Sequence, residues 1–151
     1  MDFKAIYFDM DGTIVDLYSV DNWLAKLRSY DPSPYAEAVP LVRLCTLARM
    51  LNKLQRNGYR INIISWLSKD PNAAYGEAVT AAKLAWLANH MPSVKWDAIH
   101  IVPYGTPKST VDADTWRGIL FDDEENNIIE WEENSGWAFD PAAIFEILRA
   151  L

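Results

Sequence analysis

Cysteine is almost absent from this chain: Cys45 is the single one in 151 residues, so no disulfide can form within it. Cys45 falls among Leu41, Leu44, Leu47 and Ala48, a setting that predicts a buried helical thiol rather than a reactive one. Long apolar runs are missing too, and none approaches the roughly 20 residues needed to cross a bilayer. The opening Met1-Asp2-Phe3-Lys4 lacks the basic start and apolar stretch of a signal peptide, so a cytoplasmic protein with no membrane partner is expected. Histidine occurs only at His90 and His100, with no spacing that suggests a metal site. Basic residues are outnumbered, 14 against 21 acidic, and the net charge of −7 argues against binding long nucleic acid through its phosphates, which needs a basic face. A small phosphorylated substrate is not excluded, because a bound divalent cation can reverse the local field. Low-complexity tracts and internal repeats are also lacking, and half of the residues are hydrophobic. Disorder is therefore excluded, and residues 1–151 are expected to form one domain with a substantial core.

What is present is an alternation of strand-like and helix-like segments. Lys4 to Asp9, Tyr59 to Ser65, Ala98 to Val102, Gly118 to Phe121 and Trp137 to Phe139 read as strands. Pro40 to Asn57 reads as a helix whose apolar stripe, Leu41, Leu44, Ala48, Leu51 and Leu54, lies opposite Arg43, Arg49, Lys53 and Arg56. Asp70-Pro71 signals a capped start for a helix ending near His90, and Asp140-Pro141 repeats that signal for a final helix to Leu151. Short apolar strands separated by helices imply an α/β architecture: a three-layer Rossmann-like fold with a mainly parallel five-stranded sheet. Asp16 to Val39 departs from the alternation. It holds a short helix over Val20 to Ser29 and the turn-rich Tyr30-Asp31-Pro32-Ser33-Pro34, and it reads as an excursion over the strand ends.

The most informative stretch is Asp9-Met10-Asp11-Gly12-Thr13, set directly after Ala5-Ile6-Tyr7-Phe8. Carboxylates two residues apart share one face of a strand, and Gly12 lets the backbone turn away from them. One carboxylate can attack a phosphorus atom while the other handles the proton. Three further groups fall at strand ends. Ser65 closes Asn62-Ile63-Ile64, Lys108 follows Tyr104-Gly105-Thr106-Pro107, and Asp122-Asp123 closes Ile119-Leu120-Phe121. Singly, each has an ordinary explanation as a turn residue, a solvated lysine or an acidic helix start. Their order, and their common placement where such folds bind ligands, set them apart.

In that order the four motifs resemble those of the haloacid dehalogenase-like (HAD) hydrolase superfamily, over Ile6 to about Asn127. The resemblance implies a Mg²⁺-dependent phosphatase or phosphotransferase with a covalent aspartyl-phosphate intermediate. It implies Asp9 as nucleophile and Asp11 as the acid and base, protonated on substrate binding through neighbouring carboxylates. Asp9, the backbone carbonyl of Asp11, Asp122 and Asp123 would hold Mg²⁺. Ser65, the amide of Trp66 and Lys108 would bind the phosphoryl oxygens, with Gly12 and Thr13 completing the first loop on that side. Asn126 or Asn127 would support the metal's ligands.

Aspartate at position 11 argues against dehalogenation and does not separate phosphatase from phosphomutase. Members often insert a cap domain between the first two motifs, and here only residues 17–39 are available as a reduced cap or lid. An open site of that kind suits a bulky substrate or a lid from a second subunit, so a homo-oligomer stays open. The short length and aspartate-rich first motif also resemble, faintly, the 5′(3′)-deoxyribonucleotidases, which makes a nucleotide or other small phosphate ester the expected substrate. Trp66 is placed to stack on a base, and Trp23 and Tyr18 to form part of a lid, with ordinary packing as the alternative for each. A signalling receiver domain uses similar groups, but its phosphoacceptor would end the third strand, where this chain has Val102-Pro103. A catalytically silent phosphate-binding protein on the same scaffold is the remaining alternative.

Overall fold

The computed structural model describes residues 4–69 and 71–151. The opening Met1-Asp2-Phe3 and the cap expected at Asp70 lie outside the described residues. Five strands make one sheet: β1 (Ala5–Phe8), β4 (Arg60–Trp66), β5 (Ala98–Val102), β6 (Ile119–Phe121) and β7 (Trp137–Phe139), in the order β5-β4-β1-β6-β7. Every pairing in it is parallel. Two further strands, β2 (Val15–Asp16) and β3 (Val39–Pro40), form a small antiparallel ribbon beside it.

Alternation along β1 separates two apolar layers, because successive side chains face opposite sides of a strand. Ile6 and Phe8 face one layer with Leu47, Leu51 and Leu54 of α3 (Leu44–Arg56), Trp86 and Leu87 of α4 (Ala73–His90), and Ile144 and Leu148 of α6 (Ile144–Ala150). Ala5 and Tyr7 face the other with Leu120 and with Trp131 of α5 (Glu125–Asn134). The result is the three-layer α/β fold that the alternation implied. Among the described residues no helix is long and apolar enough to cross a membrane.

Several local expectations need correction. Pro40 does not open a helix; it pairs with Val15 in the ribbon, and α3 begins only at Leu44. Leu41 therefore leaves the helical stripe and is exposed. Cys45 is exposed as well. At about 100° per residue it sits off the face carrying Leu47, Ala48, Leu51 and Leu54, so local apolar company did not bury it. Helix α4 is capped by Asn72, whose side-chain oxygen accepts from the Tyr75 amide at 2.7 Å. The last helix opens as a 3₁₀ turn, Pro141–Ala143, with Asp140 accepting from the Ala142 amide at 2.9 Å.

The excursion is more ordered than its turn residues suggested. It holds α1 (Trp23–Arg28) and a second helix, α2 (Ser33–Glu37), which starts at the proline-rich turn. Asp31 accepts from the Ser33 amide at 2.9 Å, and Pro34 fits the first turn, where its missing N–H costs nothing. Two bonds fasten the excursion to α4. Tyr75 donates to the Asp31 carbonyl at 3.1 Å, and the Trp86 indole donates to the Ala38 carbonyl at 2.8 Å. The ribbon closes its base.

Candidate active site

The central strand β1 has β4 on one side and β6 on the other, so the crevice where a doubly wound sheet binds ligands opens at the carboxyl end of β1. Beyond Phe8 the chain turns tightly: the Met10 carbonyl accepts from the amides of Thr13, Ile14 and Val15 at 2.9–3.0 Å. Gly12 sits at φ +81°, and a Cβ there would lie 2.2 Å from Asp123 Oδ2. Glycine is needed both for the turn and for the approach of the two acidic loops.

Asp9, Asp122 and Asp123 each offer one oxygen, and the three lie within 4.8 Å of one another. Asp9 and Asp122 are buried. Lys108 joins them: its Nζ donates to Asp9 Oδ1 at 2.9 Å and to Asp122 Oδ2 at 2.6 Å. Burial alone would pull the Lys108 ammonium down, but the Asp9 and Asp122 carboxylates outweigh it and hold the group above its usual range. Asp122 is also held by the Glu124 amide at 2.9 Å and by Asn127 Nδ2 at 3.1 Å. Burial first, and then the charge of Asp9, push Asp122 up to about 6 and Asp123 up to about 8. Thr13, fully buried, donates to Asp9 Oδ2 at 3.1 Å.

The loop that carries Lys108 is fastened from three sides. The Trp66 indole donates to the Thr106 carbonyl at 2.9 Å and its ring lies 5.4 Å from Lys108 Nζ. Ser109 bonds Glu130 of α5. Asp112 accepts from Tyr7 and meets His100, each at 2.7 Å. His100 thus serves the scaffold and not the crevice.

Lys83 was not singled out from the sequence. It lies in α4, only 1% exposed, and its Nζ donates to Asp11 Oδ2 at 2.9 Å, to Ser65 Oγ at 2.6 Å and to the Trp66 carbonyl at 2.7 Å. A signal was available. Tyr75, Val79, Lys83 and Trp86-Leu87 follow helical spacing, so the lysine interrupts an apolar face where a cation requires a partner. Asp11 is pushed up by its burial, with Lys83 opposing and Asp9 reinforcing.

A cavity of about 320 Å³ opens over these groups, lined by Asp9, Asp11, Trp66, Lys108, Asp122 and Asp123 together with Leu17, Tyr18, Trp23, Leu24, Leu27 and Tyr35 of the excursion. Tyr18 and Trp23 meet edge to face at 5.0 Å, and Trp66 and Tyr104 lie 5.0 Å apart on the other wall. Of the expected phosphate ligands, Trp66 and Lys108 therefore line the cavity, whereas Gly12, Thr13 and Ser65 do not. Asn127 lines it as well.

Four carboxylates, Asp9, Asp11, Asp122 and Asp123, face two ammonium groups here, which leaves a formal shortfall of two positive charges. Asp123 is close enough to Asp9 to share a hydrogen bond, an arrangement two ionised carboxylates cannot hold without a proton or a cation between them. Hard oxygen donors and a deficit of two charges fit a magnesium ion.

No family model matches the chain, and no curated protein matches it by sequence. Solved structures do match in fold. A HAD-like phosphatase candidate from Mesorhizobium loti shares 20% identity at a TM-score of 0.57, covering 91% of this chain and 71% of its own. D,D-heptose 1,7-bisphosphate phosphatase from B. bronchiseptica, solved with magnesium and phosphate, shares 14% identity at 0.55, covering 90% and 79%. A HAD family enzyme from Bacteroides thetaiotaomicron, solved with magnesium and inorganic phosphate, shares 11% at 0.54, covering 92% and 94%.

Proposed function

We propose, from the HAD-family phosphatase fold that this chain has, that it is a Mg²⁺-dependent phosphomonoester hydrolase working through a phosphorylated Asp9. The observation that carries this reading is the meeting of Asp9, Asp122 and Asp123 with Lys108 at the ends of adjacent strands β1 and β6. Asp9, Asp122 and Asp123, with the Asp11 carbonyl, are the groups we assign to the ion. When bound, it offsets the repulsion between the anionic nucleophile and the phosphate.

An oxygen of Asp9 attacks phosphorus, the P–O bond to the leaving group breaks, and Asp11 delivers its proton to the departing oxygen. Asp11, now ionised, takes a proton from water as that water attacks phosphorus. The bond to Asp9 breaks, and the products are the free alcohol and inorganic phosphate. Lys108 spends two of its three N–H donors on Asp9 and Asp122, which leaves one for a phosphoryl oxygen. The Trp66 amide is assigned to another phosphoryl oxygen. Ser65, which does not line the cavity, accepts from Lys83 and holds that ammonium in place rather than meeting the phosphate itself. Gly12 allows the two acidic loops to approach, and Thr13 holds Asp9 in aim.

The aromatic and leucine lining from the excursion, facing Trp66 and Tyr104, favours a leaving group with a planar or apolar part, such as a nucleotide. Phosphate release from nucleoside monophosphates, sugar phosphates and an aryl phosphate, with Mg²⁺ and with chelator, tests the assignment. Mg²⁺-dependent release that is fastest on the planar esters is the expected result. Release that persists undiminished in chelator would sink the metal-dependent mechanism.

Mg²⁺ binding is also expected to depend on pH. Asp122 and Asp123 have raised values in the folded chain, so the metal-free fold is favoured when they are protonated, below the ordinary carboxylate range. That contribution is lost as pH rises through about 6 and about 8, where the ionised pair then rewards a cation. The Mg²⁺-induced rise in Tm should therefore be larger near pH 8 than near pH 5. An equal rise at both would contradict the assigned ligands.

A further inference from the structure

Lys83 is the buried charge that the reaction scheme leaves unused. An ammonium group has three N–H donors, and all three are taken: by Asp11 Oδ2, Ser65 Oγ and the Trp66 carbonyl. The Tyr35 ring covers it at 5.0 Å, and Lys83 does not line the cavity. Unlike Lys108, it has no donor left for a substrate.

We propose that Lys83 is a positioning residue: it ties one oxygen of Asp11 to the end of β4, so that the other oxygen alone meets the leaving group. The inference rests on the phosphatase reading above and adds to it the residue that aims the acid. Without the tie, the Asp11 carboxyl is free to turn about its last side-chain bond, and neither oxygen stays on the line to the ester. With it, Oδ2 is occupied, and only Oδ1 remains to pass a proton to the departing oxygen and later to take one from water. Ser65 and the Trp66 carbonyl fix the ammonium from the far side, so the aim of Asp11 is set by β4 and α4 rather than by its own loop.

A positioning role predicts a loss that depends on the leaving group. An alkyl alkoxide needs its proton as the P–O bond breaks, whereas dinitrophenolate leaves unaided. The experiment compares an alkyl phosphate with dinitrophenyl phosphate, reading kcat/KM because it reports the step in which the leaving group departs. In Lys83→Met, which keeps the volume of the side chain, kcat/KM on the alkyl ester should fall about 100-fold, and on dinitrophenyl phosphate by less than about threefold. Equal losses on both esters would reduce Lys83 to a structural part and overturn the proposal, as would no loss on either. If Lys83→Met does not fold, as judged by its melting curve, Lys83→Leu, which likewise has no donor, is read by the same criteria. Absence of Mg²⁺-dependent release by the unaltered protein from either ester would overturn the phosphatase reading itself, and this inference with it.

Discussion

Asp9→Asn is expected to lose turnover by on the order of 10⁴-fold or more while the domain stays folded. The amide has the shape of the carboxylate: its oxygen can accept from Lys108 and its Nδ2 can donate to Thr13 Oγ1, and the backbone bond from the Asp9 amide to the Phe121 carbonyl is untouched. Lys108 keeps Asp122 as a partner. What disappears is the anionic oxygen that, in the mechanism we propose, forms the bond to phosphorus. Two readouts belong together: phosphate release, and phosphate retained on the protein after a denaturing quench during turnover. The unaltered chain should carry the retained phosphate and Asp9→Asn should not. Turnover that survives in Asp9→Asn would place the nucleophile elsewhere.

Lys108→Met is expected to damage both stability and catalysis. Its ammonium is 1% exposed and lies between two carboxylates at 2.6 and 2.9 Å. Removing one partner of a buried ion pair typically costs about 3–5 kcal/mol, because the remaining charge is left uncompensated. For a chain of this length that corresponds to a fall in Tm on the order of 10 °C in chelator. Mg²⁺ should restore part of the stability by taking over the neutralisation of Asp9 and Asp122. It should not restore turnover, because the donor we assign to the phosphoryl oxygen is gone, a loss of about 10²–10³ in kcat. Thermal melts in chelator and in Mg²⁺, with kinetics on the same samples, check both halves. An unchanged Tm in chelator would mean that the ion pair does not bear on folding.

The strand-end acids were legible because two local signals coincide: an apolar run long enough to be a strand, and a carboxylate where it stops. Asp9 and Asp122 needed nothing more, and the parallel sheet followed from the alternation of strands and helices. Lys83 gave only the weak signal of a cation on an apolar face, and its partner could not be read. Its helix is apolar nearly all round, so the expected signature of a polar face was absent, and only the chain's three-dimensional course brings it to Asp11, 72 residues away. Helix α2 was obscured because prolines read as turn formers, yet Pro34 lies in the first turn, where the N–H groups have no partner within the helix to lose. Cys45 went the other way: its leucine neighbours in sequence are not its neighbours in space, since α3 starts at Leu44 and turns the thiol outward.

The small ribbon in which Val15 faces Pro40 and Asp16 faces Val39 acts as a socket. It brings the two ends of the excursion side by side before the chain enters it, so the sheet never registers how long the excursion is. Doubling the length of a closed loop costs only about 0.6 kcal/mol in closure entropy. A longer insert could therefore be plugged into the same socket, recasting the cavity wall now formed by Tyr18, Trp23 and Tyr35, with Asp9, Lys108 and Asp122 left as they stand. In this chain the outer wall of the cavity and the strand ends that carry Asp9 and Asp122 are built by separate segments.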